Sequence, residues 1–296
     1  MVTVFVAWQC SPLQQGLHLS AATYLLIFTA SYVAGAVNAV ASGGTILTFS
    51  MLVAVGVPPL VANATNTMAL VPGSLTAAYG FRGNFRKVWR KALVLCLPTL
   101  IGGILGAQLA IAGGDELFAK ITPWLILGST VLLLIQEWDA HRKRRSRQLA
   151  AKCAEELLSS SAVYAFRSPR WFSFVAGLKV WCVAVPLMLL ISIYGGYFGP
   201  GMGFLTLALL TLIGLTNIHQ MLGVKNLISA IINLSAGIVF IAAGRVDWFL
   251  TMFMTVGVIM GASTGAHLAL KLGQSHLRHV IIAIGLLVTY WLIIRP

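Results

Sequence analysis

The side chains able to do chemistry in this sequence are neutral or basic polar groups set inside apolar stretches. In the first half they are Asn38, Ser42, Thr45, Asn63, Thr65 and Asn66; in the second they are His219, Gln220, Lys225, Asn226 and Asn233. The seven acidic residues, Asp115, Glu116, Glu137, Asp139, Glu155, Glu156 and Asp247, all fall in expected connections or at the ends of apolar runs. A carboxylate deep in an apolar span is the usual ligand or proton site of a cation carrier. Its absence here disfavours a cation, and amides, hydroxyls and an ammonium suit an anion. Lys225 has two readings: it neutralises a bound anion, or it snorkels to the interface from a position near its helix start.

Two glycine clusters add a second kind of anion site. Ser42, Gly43 and Gly44 precede one short apolar run, and Gly199, Pro200, Gly201, Met202 and Gly203 precede another. Glycine permits close backbone approach, and a helix that starts there aims N–H groups and a partial positive charge at an oxyanion. The expected substrate site therefore comprises Asn38, Ser42, Gly43, Gly44, Asn63, Thr65, Asn66, Gly199, Gly201, Gly203, His219, Lys225, Asn226 and Asn233. The pairs Gly102/Gly106 and Gly261/Gly265 read instead as close helix packing. His267 reads as a packing hydrogen-bonder, and the tryptophans near span ends as an interfacial belt.

The elements that must position these groups are membrane helices. The chain is 58% hydrophobic and 9% charged, with a mean hydropathy of +0.90, a balance that a soluble protein's surface does not carry. Apolar runs long enough to cross a hydrocarbon core about 30 Å thick recur along its length, without the alternation of barrel strands. Spans are expected at 20–41, 45–57, 60–81, 91–112, 117–138, 172–194, 201–215, 219–243, 248–270 and 278–295. The short second span of each half is a candidate half-crossing, which would reduce ten crossings towards eight.

The net charge of +13 is topological and does not signal nucleic acid. Arg82, Arg86, Lys87, Arg90 and Lys91 cluster in one connection. Arg142, Lys143, Arg144, Arg145, Arg147, Lys152, Arg167 and Arg170 cluster in the central polar stretch. Both flank apolar runs and are placed in the cytoplasm, with the uncharged N-terminus outside. The first 20 residues lack the basic region of a signal peptide and read as part of the mature chain. Cys10, Cys96, Cys153 and Cys182 have no paired spacing, and no cofactor or metal is implied.

The two halves repeat one another. Gly43, Gly44 and the following Ile46-Leu47-Thr48 are echoed by Gly201, Gly203 and Phe204-Leu205-Thr206, and Asn66 aligns with Asn226. Five spans per copy is an odd number, so the second copy is expected to be inverted relative to the first. The organisation is thus an all-α polytopic membrane protein with two inverted repeats of about five helices each. An N-terminal segment (1–19) precedes the first repeat (20–138), a basic cytoplasmic linker (139–171) and the second repeat (172–296). Within the linker, 142–158 extends the fifth helix before the serines at 159–161.

The stretches AGAVNAVASGGTILTFSMLVAVGVPPLVANATNT (Ala34 to Thr67) and YGGYFGPGMGFLTLALLTLIGLTNIHQMLGVKN (Tyr194 to Asn226) resemble the sulfite exporter TauE/SafE family of membrane permeases. The chain departs from the usual pattern in having only Gly43-Gly44 after Ser42, where a longer glycine run is common, and Phe49, where proline is often found. The resemblance implies a multi-pass carrier in the bacterial inner membrane that moves small sulfur-containing anions such as sulfite or sulfoacetate. The expected partners are that anion and the bilayer, with anionic lipid against the basic linker and a homodimer as a further possibility; nucleic acid is not expected. Export would run down an inside-negative potential, worth about 2.3 kcal/mol per charge at 100 mV. Two other readings stand beside this one: a passive anion or small-solute channel, and a membrane subunit that scaffolds a soluble enzyme. No nucleophile elbow, phosphate loop or metal-binding helix points to an enzyme.

Overall fold

In a computed structural model the described residues, 20–40, 43–85, 88–159, 172–215 and 217–269, are helical apart from short connections. Helix α1 (Ala21–Val40) is followed by α2 (Gly44–Ala54), α3 (Pro59–Gly80) and the single turn α4 (Arg82–Phe85). Then come α5 (Trp89–Ser159), α6 (Phe172–Tyr197), α7 (Met202–Leu212), α8 (Ile218–Ala242) and α9 (Trp248–Ala269). The segment 1–19, Ser42 and the expected tenth span at 278–295 lie outside the described residues. Five of these helical stretches are long and apolar enough to cross a membrane: Ala21–Val40, Ala92–Gly128, Val180–Tyr197, Ile218–Ala242 and Trp248–His267.

The structure sharpens the expected spans. The runs expected at 45–57 and 201–215 form helices α2 and α7 of 11 residues each. At 1.5 Å per residue each covers about 16 Å, half of a hydrocarbon core, so neither is a full crossing. Both end on glycine in the left-handed region, Gly56 at φ 99° and Gly214 at φ 83°. The four-residue connection expected around Gly113 is a reversal at one residue, Gly114 (φ 70°, ψ 174°), which divides α5 into two arms. The second arm runs on helically to Ser159, through most of the linker.

Helix α3 is as long as a span but rich in Asn, Thr, Ser and Gly. That polarity is tolerated because most of its residues, including Asn63, Thr65, Asn66 and Thr67, are buried within the protein. Pro58 and Pro59 start it, where a missing N–H costs nothing. It packs between α8 and α9.

Helices α1 and α9 run side by side in the same direction, and glycine makes their approach possible. A Cβ on Gly261 or Gly265 would collide with the backbone carbonyl of Tyr32 or Ala36. The first arm of α5 and α6 form the other such pair. A Cβ on Gly102 would lie 2.5 Å from that of Ser192, and one on Gly106 would strike the carbonyl of Ile193. The packing role read from these four glycines is the one they have.

Candidate functional site

The first half folds back on itself at the end of α1. The chain leaves that helix at Val40 and re-enters a helix at Gly44, which lies so close to Ala34 that any Cβ there would meet Ala34 backbone. Asn38 organises this return: its Oδ1 accepts the Gly44 N–H at 3.0 Å, and its amide reaches Thr45 Oγ1 at 3.4 Å. The α2 N-terminus is therefore already engaged by a side chain, contrary to the expectation of free N–H groups there. Asn66 of α3 secures the same short helix, since its Oδ1 accepts the Thr48 hydroxyl at 2.6 Å and its amide donates to Thr45 O at 3.4 Å.

The second half breaks between α6 and α7. Gly199 (φ 92°) and Gly201 (φ 83°) adopt a backbone that side chains resist, and Tyr194 Oη anchors the loop by donating to Pro200 O at 2.6 Å. Opposite this break, α8 presents two donors to the end of α1. The Lys225 ammonium donates to Asn38 O, and the Asn226 amide donates to Ala39 O at 2.9 Å. The last carbonyls of a helix carry its partial negative charge, so this is a favourable place for an ammonium. Lys225 is only 1% exposed. That burial argues against the snorkelling reading, because a snorkelling lysine would bring its charge to the interface.

These breaks line a small polar cavity. Of the expected site residues, it brings together Asn38, Gly199, Gly201, Gly203, Lys225, Asn226 and Asn233, with Thr45 beside them. Lys225 is the charged side chain on its wall, and no carboxylate lines it among the described residues. An adjoining smaller recess shares Asn38, Leu70, Ser74 and Asn226 and reaches Val258 of α9.

The other expected residues are elsewhere. Gly43 and Gly44 are buried in the turn behind Asn38 and do not line the cavity. Asn63 donates to Tyr197 O at 3.1 Å, and Thr65 Oγ1 accepts the Asp247 N–H at 3.0 Å, both towards the end of the molecule that carries Asp115. Asn66 is committed to α2. His219 stacks on Phe81 with ring centroids 6.3 Å apart. His267 Nδ1 lies 2.8 Å from Ser263 O in its own helix. Ser74 and Ser229 line the cavity without having been singled out. Ser229 was within reach of the sequence: it follows Lys225 by four residues and precedes Asn233 by four, on one face of α8.

Towards the Asp115 end of the molecule lies a cluster of aromatic rings. Phe49 of α2 meets Phe198 at 5.2 Å between centroids, and Phe118 of α5 meets Tyr197 at 5.6 Å and Phe198 at 6.1 Å. Towards the other end the cluster is smaller-boned, with Ala39, Val40, Ala77 and Leu222 around Phe81.

Residues 27–292 match the family model described as sulfite exporter TauE/SafE. This chain belongs to that family. It is similar to a probable membrane transporter protein of Haemophilus influenzae, 26% identical over 271 residues that cover 89% of this chain and 92% of the relative. The probable membrane transporter protein YfcA of Escherichia coli K12 is 28% identical over 264 residues, 88% of this chain and 86% of its own. The probable membrane transporter protein ORF9 of a Sinorhizobium species is 26% identical over 273 residues, 91% and 92%. No solved structure matches the chain. A TauE/SafE chain with these helices is a multi-pass membrane protein, and its family and relatives are transporters rather than enzymes.

Proposed function

We propose that this protein exports small sulfur-containing anions, such as sulfite, sulfoacetate or related compounds, across a bacterial inner membrane by alternating access between two inverted repeats. The observation that carries the reading is the cavity at the two helix breaks, walled by Lys225, Asn38, Asn226, Asn233 and glycine backbone and free of carboxylate among the described residues. A desolvated ammonium and amide donors complement an oxyanion, and the glycine-started α7 adds its N-terminal dipole.

The packing supports inversion. The order long, short, long occurs in α1–α2–α3 and again in α6–α7–α8. The first helix of each half lies along the fourth of the other: α1 on α9, and α6 on the first arm of α5. With the basic segments in the cytoplasm, an exported anion moves with the membrane potential, and uniport suffices energetically.

The test is a binding screen of purified protein against sulfite, sulfate, thiosulfate, sulfoacetate and short carboxylates, with Asn38→Ala, Asn226→Ala and Asn233→Ala beside the unsubstituted chain. Saturable binding of a sulfur oxyanion, weakened by about five-fold or more in each variant, is expected from the loss of one hydrogen bond to a charged ligand. Binding that is absent for every sulfur compound, or equal in all four proteins, would overturn the assignment.

A further inference from the structure

In the first half an asparagine of the third helix bonds a threonine of its own short helix, whereas the matching residues of the second half are bonded elsewhere. Asn66 holds Thr48, at 2.6 Å. The alignment that matches Asn66 with Asn226 matches Thr48 with Thr206. Thr206, however, donates back to Met202 O at 2.9 Å within α7, and Asn226 turns across to Ala39 O at the end of α1. Thr206 is fully buried and Asn226 is 2% exposed, so both are committed groups of the interior. The acceptor matching Ala39 O, nine residues before its threonine in each half, is Tyr197 O. Asn63, one turn before Asn66, holds it now.

Two inverted halves reverse the side to which their common cavity opens by exchanging conformations. We infer that Thr206 is a positioning residue of the transport cycle: in the oppositely facing state Asn226 releases Ala39 O and takes the Thr206 hydroxyl, while Asn66 releases Thr48 and takes Tyr197 O from Asn63. The inference rests on the inverted-repeat reading above. Asn226 and Asn66 each exchange one buried partner for another while Asn63 gives up Tyr197 O, and intermediate positions leave further polar groups unpaired. Such an exchange makes the arrangement two-state.

Ser74 lines the cavity, so a cysteine there, in a chain with Cys10, Cys96, Cys153 and Cys182 replaced, reports the open side. A membrane-impermeant thiol reagent is applied to one face of sealed vesicles at a time, and the ratio of the two labelling rates is read. Thr48→Val removes a bond of the state described here, and Thr206→Val removes one of the opposite state. The two substitutions are expected to move the ratio about five-fold in opposite directions, the weight of one net hydrogen bond. Thr206→Ser should leave it unchanged, and the double valine variant should restore it. Thr206→Ala supplies the same test if the valine variant does not fold. A Thr206→Val or Thr206→Ala variant that leaves the ratio unmoved, or moves it in the direction of Thr48→Val, overturns the inference. The labelling needs no substrate, so a mistaken substrate class does not affect it. Equal labelling from both faces in every variant would overturn alternating access itself, and the exchange with it.

Discussion

Lys225 can be tested apart from the fold it sits in. Lys225→Met keeps the length of the side chain and removes the charge, a change that buried sites often tolerate when the replacement is apolar and fills the space. It also takes one donor from Asn38 O, at a cost of about 1–3 kcal/mol. The expected result is a loss of sulfur-oxyanion affinity of about ten-fold or more, with thermal unfolding lowered by only a few degrees, read by a binding isotherm and a melt on one preparation. The sequence showed that Lys225 lies inside an apolar run but not which neighbour it faces. Position along α8 gives the face of a helix; the carbonyl at Asn38 is supplied by a chain segment 187 residues away. Asn66 illustrates the converse. Its type and place marked it for the cavity, and its amide is engaged by α2 instead.

Among the elements, the small-residue seams were the most legible part of the fold, because glycine at helical spacing in an apolar run has few other uses. Gly261→Leu is expected to drive α9 off α1, where the Tyr32 carbonyl leaves no room for a Cβ, and to abolish recovery of monodisperse protein. Gly128→Ala meets open space in the second arm of α5 and should leave yield and melting temperature unchanged or slightly raised. Size-exclusion profiles and melts of the two variants make the comparison. Less legible were the lengths of α2 and α7, each an 11-residue helix where longer runs were expected. Hydropathy registers burial in protein and burial in lipid alike, so the short runs could be marked as candidate half-crossings without fixing where each helix ends.

At the scale of the whole molecule, the two halves also meet at their tips. Asp115, immediately after the Gly114 reversal, pairs with Arg245 in the connection between α8 and α9 at 2.7 Å. Both side chains are partly solvated, so the pair should contribute less than about 1 kcal/mol. A double-mutant cycle of Asp115→Asn and Arg245→Gln, followed by denaturation in detergent, is expected to give a coupling within that limit that fades as salt is raised. A coupling of several kcal/mol that persists in high salt would contradict this.

The second arm of α5 turns a small rearrangement near the cavity into a large one far from it. From Asp115 to Ser159 it is a single helix about 65 Å long, roughly twice the thickness of the hydrocarbon it enters. Some 30 Å of it must therefore stand clear of the bilayer, rigidly continuous with the part inside. The arm turns at Gly114 and carries Phe118 of the aromatic cluster one turn beyond it. A tilt of 10° that eases Phe118 away from Phe198 sweeps the far tip through about 10 Å. The molecule thus carries its own pointer, whose deflection can be followed by a spectroscopic label far from the anion and from every residue that binds it.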